Sequence, residues 1–184
     1  MPFQARPIRR VVTGTDDQGR SRVLYDGPAP NVNTHVSARM TDLWVYDQVP
    51  APISGTRDDG NLPFSFEPPH QGGHLRVVES MGRPANYDAS TDAQRKERHE
   101  TVRAANGTLY RGGQNVYSSP YHKSTTVDYG ILLDGQRTLL LDDGAYPLQK
   151  GDVVVQLGNW HGWTNPDSGS LMAFVMMGAE EESS

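Results

Sequence analysis

The sequence predicts an all-β protein, an antiparallel barrel or sandwich with an N-terminal strand arm and a short helical insertion. Three observations carry this. Short β-prone runs recur at roughly 8–12-residue spacing through the last third of the chain. Glycine turns separate them: Asp134-Gly135, Asp143-Gly144, Lys150-Gly151 and Gly158-Asn159. With Gly 19 and Pro 13 among 184 residues, the chain is rich in turn formers, which suits many short strands better than a helix bundle.

The elements follow in order. Residues 8–26 read as a hairpin, with β-prone runs at 8–13 and 22–25 around the turn-forming Thr15-Asp16-Asp17-Gln18-Gly19. Gly27-Pro28-Ala29-Pro30 breaks the chain, and residues 35–46 supply a further strand ending in Leu43-Trp44-Val45-Tyr46. The Pro/Gly-rich stretch 50–69 is a loop or an arm, and 74–79 is a strand. Residues 88–105 are charged and sparse in apolar positions, with Ser90 or Thr91 as N-cap, so they predict a surface helix or a mobile insertion. From 112 onward, runs at 127–133, 137–141, 147–148, 153–157 and 171–177 give five strands. The whole reads as one domain, 1–184: an arm at 1–46, loops with one strand and the helical insertion at 47–110, the motif-bearing part at 111–178, and an acidic tail at 179–184.

Composition excludes several chemistries. There is no cysteine, so disulfides, thiolate metal ligands and a Cys nucleophile are out, and any metal must sit on nitrogen and oxygen. The net charge is -5, and the Lys and Arg residues form no stripe, which argues against nucleic acid as a partner. No run reaches the about 18–20 apolar residues of a membrane span. The start, Met1-Pro2-Phe3-Gln4, lacks the apolar core of a signal peptide. The expectation is a cytoplasmic protein with neither a membrane nor a nucleic acid as partner.

Two clusters carry the chemistry. The first is Tyr121-His122-Lys123-Ser124-Thr125-Thr126-Val127-Asp128. Strand side chains alternate faces, so His122, Ser124, Thr126 and Asp128 point one way, and Lys123, Thr125 and Val127 the other. The second is a valine-rich strand ending at Gly158, followed by Asn159-Trp160-His161-Gly162-Trp163-Thr164-Asn165. A neighbouring strand sets His161 opposite His122 and Asp128. Two imidazoles and a carboxylate converging on one point have the composition of a metal site. Asp128 sits among Val127, Ile131 and Leu132, and a carboxylate there is costly to bury unless a metal or an arginine meets it.

These residues resemble the cupin superfamily, whose motifs are G-x5-H-x-H-x3-4-E-x6-G and G-x5-P-x-G-x2-H-x3-N. Six residues separate Asp128 from Gly135, and fifteen separate Gly135 from Gly151, similar to the shortest inter-motif spacing of cupins. Gly158-x2-His161-x3-Asn165 matches the second motif. The likeness covers about residues 116–178. Ser124 stands where cupins carry a second histidine, Asp128 stands for the glutamate, Val116 for the leading glycine and Gln156 for the proline. The His-x5-Asp-Tyr and Gly-x2-His-x-Trp-x-Asn elements are similar to cupins of bacteria and of fungal secondary-metabolite pathways. The resemblance implies a jelly-roll barrel holding a divalent metal (Zn, Fe(II) or Mn) on His122, Asp128 and His161.

Around that centre, Ser124 and Thr126 are either polar lining or contacts to a water or substrate oxygen. Trp163 and Phe174 are candidates for the substrate pocket, although plain packing explains them equally well. Arg76, if it faces inward, would grip a substrate carboxylate in a bidentate fork. Tyr121, folded over the mouth, is a candidate proton donor. His35, His70, His74 and His99 have no evident partners and read as surface or loop residues. The ligand set supports a metal-dependent lyase (decarboxylation, dehydration or isomerisation of a small oxygenated or carboxylated molecule). It supports equally an Fe(II) non-haem dioxygenase, and a non-catalytic small-molecule binder is the third reading. An exposed barrel edge near the N-terminus needs covering, which predicts a homodimer.

Overall fold

The computed structural model describes residues 7–53 and 57–181. The start at residues 1–4 and the end of the acidic tail lie outside the described residues. Fourteen strands form the described part: β1 (Arg9–Thr15), β2 (Ser21–Pro28), β3 (Asn31–Thr34), β4 (Ala38–Tyr46), β5 (Gly73–Ser80), β6 (Lys96–Arg103), β7 (Leu109–Gln114), β8 (His122–Lys123), β9 (Thr126–Gly135), β10 (Arg137–Leu140), β11 (Ala145–Leu148), β12 (Val153–Leu157), β13 (Gly162–Thr164) and β14 (Ser170–Gly178). All pairings are antiparallel. The hairpin β1–β2 is a sheet of its own, and β3 carries the chain into a six-stranded sheet of order β12-β9-β14-β5-β4-β3.

Residues 88–105 depart from the expected helix. A single 3-10 turn, Ala89–Thr91, is capped by Asp88, and Lys96–Arg103 is strand β6, exposed along its whole length. With both faces in water, no apolar period marks the segment as a strand. Its pairing with β7 satisfies the backbone and decides its conformation.

Register builds the barrel interior in rows, because residues in register across a sheet share a face. Gln156, Asp128, Met176 and His74 form one row. Gly130, Phe174, Arg76 and Asp42 form the next. Leu132, Met172, Val78 and Met40 form the third, and Ser170 with Ser80 the fourth. Gly130 has a steric reason: a Cβ there would stand 2.9 Å from the Phe174 ring. Leu139 and Trp163 from the sheet β11-β10-β13 close over these rows and complete the apolar core with Val78, Leu132, Met172, Phe174 and Met176. Each large side chain buried there contributes about 1.5–3 kcal/mol. The polar first row is therefore set against an apolar floor. On the opposite face of the same sheet, Tyr129, Val153, Val155 and Leu157 are exposed. Among the described residues, no helix is long and apolar enough to cross a membrane.

Candidate active site

A cavity of ≈ 240 Å³ opens into the barrel. His122, Ser124, Asp128, His161, Trp163 and Phe174 all line it, as strand alternation requires of the inward set. His122 begins β8 and forms a bridge with His161, each backbone N–H donating to the other's carbonyl at 2.8 and 3.0 Å. This pairing brings their rings to 4.2 Å between centroids.

Both imidazoles are held in the same way. His122 Nδ1 donates to the Pro120 carbonyl at 2.8 Å, and His161 Nδ1 to the Asn159 carbonyl at 3.0 Å. A carbonyl oxygen only accepts, so Nδ1 carries the proton and the neutral ring keeps its lone pair on Nε2. Burial pushes the pKa of His161 down to about 3, with the neighbouring His122 adding to the effect. Burial lowers that of His122 as well, against the opposing pull of the Pro120 carbonyl. At neutral pH both rings are uncharged.

Asp128 is 5% exposed and its Oδ1 has no hydrogen-bond partner. Burial, reinforced by the negative charge of Glu67, lifts its carboxyl to about 6. The register explains why no cation is paired with it: its row neighbours are Gln156 and Met176. Both amide atoms of Gln156 are also buried without partners. Among the described residues, no group of three or more His, Asp or Glu side chains is drawn together tightly enough to hold a metal ion as it stands. The histidine pair is in contact, and Asp128 shares its cavity.

Several expected roles are corrected. Tyr121 is buried outside the cavity, because it neighbours His122 and so faces the other way. Its hydroxyl donates to the Leu141 carbonyl at 3.3 Å, and the Arg98 guanidinium covers its ring at 3.7 Å. It does not reach the cavity as a proton donor. Arg76 does face inward, but its fork is already filled. It donates to Asp42 at 2.5 and 3.1 Å and to the carbonyls of Ser65 and Phe66 at 2.6 and 3.1 Å. Held by Asp42, it binds the 61–72 loop to the barrel instead of gripping a substrate carboxylate. Ser124 donates to Glu67 at 2.9 Å, so its hydroxyl serves that loop. Thr126 is buried beside Asp128, and its hydroxyl opposes the rise of that carboxyl.

Other site residues were not expected. Glu67 and Phe66 come from the loop, where no periodicity marks them; the Phe66 ring meets His122 edge-on at 5.8 Å. His74 is 2% exposed inside the barrel with Nε2 unpartnered, and burial beside Arg76 pushes it to about 3. His35 lines the cavity. His35, His70 and His99 are exposed. Arg137 lines the cavity as well. Its inward parity with Leu139 is the sequence signal that would have found it.

No family model matches the chain. A cupin-domain-containing oxidoreductase of Neurospora crassa is 34% identical over 99 residues, covering 50% of each chain. A protein of the same description from Hypocrea virens is 36% identical over 106 residues, covering 55% of this chain and 54% of that one. The chain thus spans about half the length of the curated relatives it matches. A cupin-2 domain structure from Rhodospirillum rubrum aligns over 99% of this chain and 80% of its own with 11% identity and a TM-score of 0.44. The chain is thus an antiparallel all-β barrel that is similar in sequence, over about half its length, to fungal cupin-domain-containing oxidoreductases.

Proposed function

We propose that this chain is a metal-dependent cupin enzyme acting on a small molecule held in the barrel cavity. His122 and His161 are the metal ligands and Asp128 is the third donor. The observation that carries this reading is the pair of buried, neutral imidazoles. Each is pinned through Nδ1 to a backbone carbonyl, so that the free lone pair is Nε2. Such pinning is how metal-ligating histidines are oriented. The donor set fits a borderline divalent cation: two uncharged nitrogens and a carboxylate oxygen that lacks a partner. When bound, such an ion supplies open coordination positions with Lewis-acid or, for iron, redox chemistry.

The chain's own residues supply the rest. Trp163, Phe174 and Met176 wall the cavity with apolar surface, which excludes water and holds the body of a substrate. Gln156 offers both halves of its amide to a bound molecule. Asp128 has two uses that support different reactions. As a ligand it completes a two-His, one-carboxylate set, the arrangement of non-haem iron oxygenases, and the relatives named oxidoreductases support this reading. Left unligated, a carboxyl titrating at about 6 is placed to take or give a proton, which supports decarboxylation, dehydration or isomerisation.

Elemental mass spectrometry of the purified protein tests the centre. Near-stoichiometric Fe, Zn or Mn is expected, with at least about tenfold less in His122→Ala and His161→Ala. Iron favours the oxidoreductase and zinc the lyase. An unmodified protein that takes up no divalent metal on reconstitution overturns the reading.

A further inference from the structure

The barrel holds one buried cation whose charge no carboxylate is seen to meet. Arg137 is 8% exposed. Its Nη1 donates to the hydroxyls of Ser80 and Ser170, the latter at 3.3 Å, and its Nε is buried with no partner. None of the ion pairs found among the described residues includes it, in contrast to Arg76 with Asp42 and Arg39 with Glu79. Two hydroxyl oxygens do not neutralise a guanidinium, and burying an uncompensated charge is expensive. Burial alone brings its pKa down to about 10, so it stays charged at neutral pH.

Its position gives that charge a use. Arg137 lines the main cavity and also a second, polar one of ≈ 200 Å³; His35, Ser119 and Pro120 share this double position. The guanidinium lies 5.7 Å from the Trp163 ring, which in turn lies 6.1 Å from the His161 ring. The histidine pair and Arg137 are therefore separated by no more than the total of those contacts. The apolar side chains of Trp163, Phe174, Val78 and Met40 line the same cavity.

We propose that Arg137 is the anion receptor of the cavity. The substrate is an elongated, largely apolar molecule that carries a carboxylate on Arg137 and presents its reacting end to the histidine pair. This rests on the reading of the cavity as the substrate site. A planar guanidinium suits a carboxylate because it offers parallel N–H donors.

The test uses 4-phenylbutanoate and its neutral amide, titrated calorimetrically into metal-free protein, where no cation can attract the anion. The wild type is expected to bind the carboxylate at least about tenfold tighter than the amide. Arg137→Gln should lose that preference with its far-ultraviolet dichroism unchanged, and Arg137→Lys should keep part of it. Arg9→Gln, at an exposed arginine outside the cavity, should retain it in full. Equal affinity for the two probes, no saturable binding of the carboxylate, or an undiminished preference in a folded Arg137→Gln would overturn the proposal. The wild-type comparison alone decides should Arg137→Gln fail to fold. A carboxylate preference in a protein that never takes up metal would sink the metal reading and leave this one standing. A metal-loaded protein indifferent to charge would do the reverse.

Discussion

Asp42→Ala is expected to lower the unfolding free energy by about 3–5 kcal/mol, measured as a shift of the urea midpoint. Asp42 and Arg76 face one another in register on β4 and β5 and are 1% and 2% exposed. Alanine at 42 strips the guanidinium of its only carboxylate and leaves the charge buried against two carbonyls and the Phe64 ring, 4.4 Å away. The cost is that of an orphaned buried charge, so it exceeds the net worth of the ion pair. The double change Asp42→Leu with Arg76→Met should recover most of the loss, because apolar pairs of similar size substitute well for buried ion pairs. It should still leave the 61–72 loop untethered, since the carbonyls of Ser65 and Phe66 lose their donor. Faster proteolysis within that loop would report this. A loss under about 1 kcal/mol in Asp42→Ala would match an exposed pair and contradict the burial.

Asp128→Asn is expected to do the opposite in the metal-free protein, raising its stability by up to about 3 kcal/mol near pH 8. The folded pKa of Asp128, about 6, lies above the ordinary 3.8. The native state therefore holds this proton more tightly than the unfolded chain does. The stability contributed by the protonated carboxyl is complete below about 4 and lost as the pH rises through about 6. An amide cannot ionise and escapes the loss. The difference in melting temperature between variant and parent should vanish below about pH 4 and grow to a plateau above about pH 7. A difference that stays flat with pH would mean the carboxylate is solvated. Metal content of the same variant separates the two uses of Asp128: a ligand takes the metal with it, whereas a free acid leaves the metal on the histidines.

Much of this was legible in the sequence because strand alternation is a rigid rule. Once residues 122–128 and 161–165 are read as strands, alternation puts His122, Ser124, Thr126 and Asp128 on one face and His161 with Trp163 on one face; five of these line the cavity and Thr126 is buried. The turn glycines fixed where each strand ends. Long-range pairing was not legible. Nothing local announces that β14 lies between β5 and β9, and so nothing announced that His74 and Arg76 share rows with Asp128 and Phe174. The two arginines show the limit. Arg76 drew notice for its strand, but its fate depended on Asp42, 34 residues earlier and visible only in register. Arg137, equally inward, has no such carboxylate. Glu67 reaches Ser124 from a loop whose path only the fold determines. Strand β6 shows no apolar period because it is exposed along its whole length.

Met40 and Met176 line the cavity, whereas Met81 is 42% exposed at the surface. Thioethers are the side chains here most readily oxidised, and each gains one oxygen atom on conversion to the sulfoxide. An oxidant released inside the barrel meets Met40 and Met176 first, while peroxide arriving from bulk solvent meets Met81 first. On the proposed oxygenase reading, sulfoxide would build up at Met40 and Met176 ahead of Met81, and a peptide mass map after use separates an oxygen-handling cavity from an idle one.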